Sequence, residues 1–143
     1  MSESFFIAKL AGRNEVPPVE SNAFGNAKFI VNRKRTKIKF RLEVNNIKNF
    51  IQAHIHFGAR NVNGPVLVFL FGENDQTITE QEGLTTGKGI VTGVITDDDF
   101  VDNPEGIDSV RELVNLMEAG LTYVNAHTEQ NPNGEIRGQI RQV

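Results

Sequence analysis

The chain has 143 residues, a formal net charge of −3 at pH 7, three histidines and no cysteine. At this length folding removes roughly 70% of the accessible surface, enough for a core without covalent staples, and the even composition leads to the expectation of one domain over residues 1–143. The lack of cysteine excludes disulfides, thiol catalysis and thiolate-bound metals, and the mild acidity argues against general nucleic-acid or anionic-membrane binding, which need a basic field.

In chain order, Ser4–Leu10 reads as a first strand. Its apolar start is cut by Lys9, so neither a signal peptide nor a transmembrane segment is visible, and a cytoplasmic location is the expectation if this is the full chain. Gly12–Val19 is an extended loop whose Pro17 and Pro18 keep it at an edge. Phe24–Asn32 is a second strand, with Ala27, Phe29 and Val31 on one parity. Ile38, Phe40, Leu42 and Val44 then alternate with Lys37, Lys39, Arg41 and Glu43, a strand with one dry and one charged face that Asn45-Asn46 is expected to end.

The run Gln52-Ala-His-Ile-His-Phe57 places His54 and His56 on one face and Ala53, Ile55 and Phe57 on the other. Val66–Phe71 is apolar on both parities and predicts a central strand covered on both sides, with the helix further on as a cover. Residues 72–87 read as a mobile polar loop, and Gly89–Thr96 as a strand. Ile107, Val110, Leu113, Val114 and Met117 predict a packing helix over Ile107–Ala119, stopped by Gly120. Thr122–Thr128 and Glu135–Gln142 finish the chain as strands; Ile136, Gly138 and Ile140 face in, while Glu135, Arg137, Gln139 and Arg141 face out. The pattern is that of an all-β Greek-key sandwich or barrel with one inserted short α-helix.

The histidines carry the chemistry. Residues two apart on a strand are ~6.6–7 Å apart at Cα and imidazole–metal bonds are ~2.0–2.1 Å, so His54 and His56 can lean onto one ion. In the Tyr123–His127 run Val124 and Ala126 take the core parity, which turns His127, Tyr123 and Asn125 to the opposite face. If the two strands are neighbours, three imidazoles converge outside the core as a surface site. Such a set suits zinc with an open position, and imidazole also suits copper, iron or nickel. The alternative is a group of surface or partly buried histidines that only help strands to pair. Ligation requires neutral imidazole, so affinity is expected to weaken below about pH 6. Glu15, Tyr123, Asn125, Glu129, Glu135 and Arg137 are candidates for orienting the ligands or meeting a bound substrate, Arg137 foremost as a fixed cation, with a solvated arginine as its alternative reading.

Three other stretches have plainer readings. Arg33–Arg41 is a turn plus the charged face of a strand rather than a polyanion site. Asp97-Asp98-Asp99 leads into a helical region and lacks the ligand spacing of a calcium loop. The pairs Gly89/Gly93 and Gly134/Gly138 mark bulges or close strand contacts, not phosphate loops.

Leu10-Ala-Gly-Arg-Asn-Glu-Val-Pro-Pro-Val19, Ala53-His-Ile-His-Phe-Gly58, Asn63-Gly-Pro-Val66, Tyr123-Val-Asn-Ala-His-Thr128 and Asn131-Pro-Asn-Gly-Glu-Ile-Arg-Gly-Gln-Ile140 together resemble the CHRD domain, nearly end to end. The resemblance implies a β-sandwich or immunoglobulin-like barrel and a secreted or surface-associated interaction role, the alternative to a cytoplasmic one. The layout is also similar to copper/zinc superoxide dismutase, with His54, His56, His127 and Arg137 in the matching places of a Greek-key barrel. The bridging and zinc histidines of that class and its disulfide are missing here, so a dismutase is not implied, while a single outward copper or zinc site remains open. A cupin is disfavoured because residues 57–62 lack its glutamate. The expectation is thus a non-enzymatic CHRD-type binding or structural module with a protein or small ligand as partner. Its alternative is a mononuclear copper- or zinc-binding metalloprotein with redox activity.

Overall fold

A computed structural model describes residues 2–72 and 84–143. The strands are β1 (Ser4–Ala11), β2 (Phe24–Val31), β3 (Ile38–Phe57), β4 (Val66–Phe71), β5 (Leu84–Ile95), β6 (Thr122–Thr128), β7 (Ile136–Gln139) and β8 (Arg141–Gln142), with one helix, α1 (Val110–Glu118). Neighbours are antiparallel throughout, and β1, β2, β3, β6 and β7 pair in a ring that closes where Ala11 meets Arg137. Among the described residues, the expected all-β barrel with a single α-helix is what the chain forms. Of the expected loop at 72–87, Leu84–Gly87 belongs to β5, and 73–83 lie outside the described residues.

Strand β3 organises the barrel. Asn45-Asn46 does not end it: Asn46 (φ 52°) and Asn49 (φ 56°) take left-handed backbone that asparagine tolerates, and the strand continues to Phe57, 20 residues in all. Residues 38–45 are flanked by β2 and β5, and residues 53–57 by β4 and β6. The alternation read from sequence holds in the first half, where Ile38, Phe40, Leu42 and Val44 enter the core. The second half carries the histidines.

The apolar β4 is not central. It ends the strand order, pairing with β3 and making a single bridge from Val68 to Phe100. Its two-sided apolarity has a different cause: Leu67, Val68 and Leu70 fill the core, Phe71 stacks on Phe50 at 4.5 Å, and Phe69 packs edge-on against His54 at 4.2 Å.

Helix α1 starts at Val110, three residues after the apolar stripe begins. Asn103 holds Ile107 in the loop by accepting from its N–H (3.0 Å) and donating to its carbonyl (2.8 Å). Ser109 then caps the helix by accepting from the Glu112 N–H, and Gly120 (φ 74°) closes it. Asp97 accepts from the Val110 N–H at 2.8 Å, so the aspartate run does lead into the helix. The basic run forms the β2–β3 turn and the start of β3; Arg35 pairs with Glu118 of α1 at 3.0 Å. Gly138 marks a close strand contact, since a Cβ there would meet the Lys9 backbone carbonyl.

Candidate metal centre

Directly opposed residues on antiparallel strands share a face, and the register across β3, β6 and β7 builds the site row by row. Gln52 faces His127, His54 faces Asn125 and then Arg137, and His56 faces Tyr123 and then Gln139. All of them point away from the barrel core, as parity requires. They are nevertheless not on the surface: His54 is 3% exposed, His56 7% and His127 5%.

The burial comes from a roof of distant segments. Val16-Pro17, Asn63-Gly64 and Pro132-Asn133 line the cavity over the rings, which measures about 530 Å³. Arg137 ties the roof down. Its guanidinium donates to Asn63 Oδ1 (3.0 Å) and to the carbonyls of Ala59 (3.1 Å) and Val62 (2.7 Å), and sits 3.5 Å from the centroid of the Tyr123 ring. Asn63 in turn donates to the Val16 carbonyl at 2.8 Å. The solvated-arginine reading therefore fails; at 2% exposure, Arg137 is a buried cation.

Hydrogen bonds fix the ring tautomers. A carbonyl can only accept, so His56 Nδ1 donates to the Gly64 carbonyl (2.9 Å) and His127 Nδ1 to that of Pro132 (2.8 Å). Each then keeps its lone pair on Nε2. His54 donates from Nε2 to Gln52 Oε1 (2.9 Å), which leaves the lone pair on Nδ1. His54 Nδ1 and His56 Nε2 are buried and have no partner. His127 Nε2 lies 2.9 Å from the side-chain amide of Asn125.

One nitrogen from each ring lies within 4.8 Å of those of the other two. On a shared ion at ~2.0–2.1 Å they would stand roughly 3.3–3.6 Å apart, so the rings would close by up to about 1.5 Å to share one. Burial, reinforced by the neighbouring His127 and His56 rings, pushes His54 down to about 2. Burial takes His56 down to about 4, against the pull of the Gly64 carbonyl, and lowers His127 as well. At neutral pH all three are the neutral imidazoles that a metal requires.

Of the other residues expected here, Tyr123, Asn125, Arg137 and Glu15 are brought together. Tyr123 stacks on His56 (centroids 4.7 Å apart, planes at 6°) and its hydroxyl accepts from the Gly64 N–H. Glu15 is buried with Oε2 unpartnered; burial pushes its carboxyl up to about 7, although the Arg137 charge and the Asn125 amide work against this. Glu135 instead anchors the 130–134 loop, accepting from Ser21, Thr128, Gln130 and Asn131. Glu129 is exposed and takes no part. Sequence reasoning missed Gln52, which sets the His54 tautomer, although it shares the parity of His54 and lies two residues before it.

Gly64 is a position where the site's geometry depends on a missing side chain. A Cβ there would run into the Phe57 carbonyl. The Gly64→Ala variant is expected to lose more than about 2 kcal/mol of stability, because the loop that bonds both His56 and Tyr123 must move. Thermal unfolding, with the His56 ring resonances followed by NMR, checks this.

A closed antiparallel barrel with three neutral imidazoles gathered under a hydrogen-bonded roof defines a β-barrel module with a candidate mononuclear metal centre. The CHRD domain family matches residues 6–140, and the chain belongs to that family. It is similar to chordin of Danio rerio, 28% identical over 137 residues, which is 92% of this chain and 12% of that protein. At the level the family supports, it is a binding or structural module. Among the described residues no helix is long and apolar enough to cross a membrane.

Proposed function

We propose that this chain is a metal-binding CHRD module that holds one copper or zinc ion through His54 Nδ1, His56 Nε2 and His127 Nε2. The observation that carries the reading is the pair of buried, unpartnered nitrogens on His54 and His56, in a group of three rings that each bring one nitrogen within 4.8 Å of the others. A buried acceptor left unsatisfied costs roughly 1–3 kcal/mol, and a cation converts that cost into binding energy. The cavity over the rings gives a small ligand or a partner's side chain access to a remaining coordination position. Zinc there would supply Lewis acidity, and copper one-electron chemistry. Membership of the CHRD family supports a secreted or cell-surface setting over a cytoplasmic one.

Titration of metal-depleted protein with Cu(II) and Zn(II) tests the proposal. One equivalent should bind, and His54→Ala and His127→Ala should abolish it while keeping a folded far-UV spectrum. No binding below millimolar metal at neutral pH would sink it. A second reading, in which the rings serve only as packing, is favoured by the edge contact of Phe69 on His54 and the 4.5 Å approach of His54 to His127. In that case the same substitutions would lower stability and leave metal uptake unchanged.

A further inference from the structure

Beside the histidine cavity, and separate from it, lies a smaller pocket of about 60 Å³ lined by Arg13, Asn14, Arg60, Asn61, Arg137 and Gln139. Three of its lining residues are arginines and none is acidic. Among the described residues, the ion pairs of this acidic protein involve Arg35, Arg41 and Lys88, and none uses Arg13, Arg60 or Arg137.

The floor of the pocket is rigid. Arg137 spends three of its five N–H donors on the 59–63 loop, which leaves two. Asn14 is fixed by donating to the Arg137 carbonyl at 3.0 Å, and Gln139 by donating to the carbonyls of Gly58 (2.9 Å) and Gly120 (2.8 Å). Arg13 and Arg60 stand exposed at the rim. Gathering like charges around a small cavity is unfavourable unless an opposite charge joins them. Guanidinium forks match the oxygens of phosphate and sulfate. The volume takes a handful of waters or one such ion, with no room for an organic body.

We infer that this pocket binds a small oxyanion of phosphate or sulfate size, held between the Arg13 and Arg60 side chains and the fixed Arg137 floor. The inference does not depend on the metal centre, since none of the six lining residues is a proposed ligand.

Thermal unfolding and calorimetric titration with sodium phosphate and sodium sulfate, against sodium chloride at matched ionic strength, test it. The oxyanions should raise the melting temperature saturably and chloride should not. The Arg13→Gln/Arg60→Gln double variant alters only exposed side chains, so it should fold as the wild type does and bind phosphate roughly tenfold more weakly or worse. Its anion-free melting temperature should equal or exceed that of the wild type, because repulsion is relieved. A response to phosphate that is the same in wild type and double variant, or that chloride reproduces at equal ionic strength, would overturn the inference.

Discussion

The Arg137→Ala variant is expected to lose about 3 kcal/mol or more of unfolding free energy, the cost of leaving three acceptors in the roof without their donor. The residue is 2% exposed, and truncation leaves Asn63 Oδ1 and the carbonyls of Ala59 and Val62 without their donor. It also uncovers one face of Tyr123 and strips buried Glu15 of its neighbouring cation. The damage should spread to the 59–64 loop, and through Gly64 to His56. Arg137→Lys keeps the charge but lacks the planar fork that serves three acceptors, so it should recover only part of the loss. Urea unfolding of the two variants measures both effects. A loss below about 1 kcal/mol for alanine would mean that the roof is held by other contacts.

Acid should destabilise the metal-free protein progressively from about pH 7 downward. In the unfolded chain the histidines protonate near 6.5, whereas in the fold burial first, and neighbouring rings second, hold His54 near 2, and burial holds His56 near 4. Between those values the unfolded state takes up protons that the folded state refuses. The stability these rings contribute is therefore complete above about pH 6.5 and is lost as pH falls through the folded values. For His56 alone, the drop from 6.5 to about 4 amounts to about 3 kcal/mol by pH 4. Glu15 works in the opposite sense. Its carboxyl, raised from 4.5 to about 7, favours the fold most below pH 4.5 and loses that contribution as pH rises through 7. Three imidazoles outweigh one carboxyl, so urea midpoints should fall steadily from pH 7 to 4. The Glu15→Gln variant should fall more steeply and be the more stable protein at pH 8. A midpoint that stays level from pH 7 to 4 would contradict the burial of the histidines. Metal uptake should likewise persist below the pH of about 6 at which ordinary imidazoles would release it.

The face on which the site lies could be read directly from alternation. His54, His56, His127, Tyr123, Asn125 and Arg137 share the non-core side, as the register confirms. Their burial could not be read, because the covering segments at 16–17, 63–64 and 132–133 come from separate parts of the chain and no local pattern marks a loop as a roof. The same cause hid the role of Arg137, whose three acceptors all lie more than seventy residues away in sequence. Misreadings at Asn45-Asn46 and β4 have local causes. A strand can run on through left-handed asparagines as well as end at them, and an edge strand can be apolar on both faces when one of them covers a site.

The pairing of β1 with β8 sets Phe6 opposite Gln142, and the Val143 N–H donates to the Phe5 carbonyl at 2.9 Å. The chain thus comes in and goes out at one place on the barrel, with every element of the histidine site contained in between. This pairing tethers the first and last strands of the barrel to each other. Such a tether also gives a handle for engineering. Linking residue 143 back to the start of β1 should produce a circular chain that keeps the ring, and with it the three imidazoles, in register.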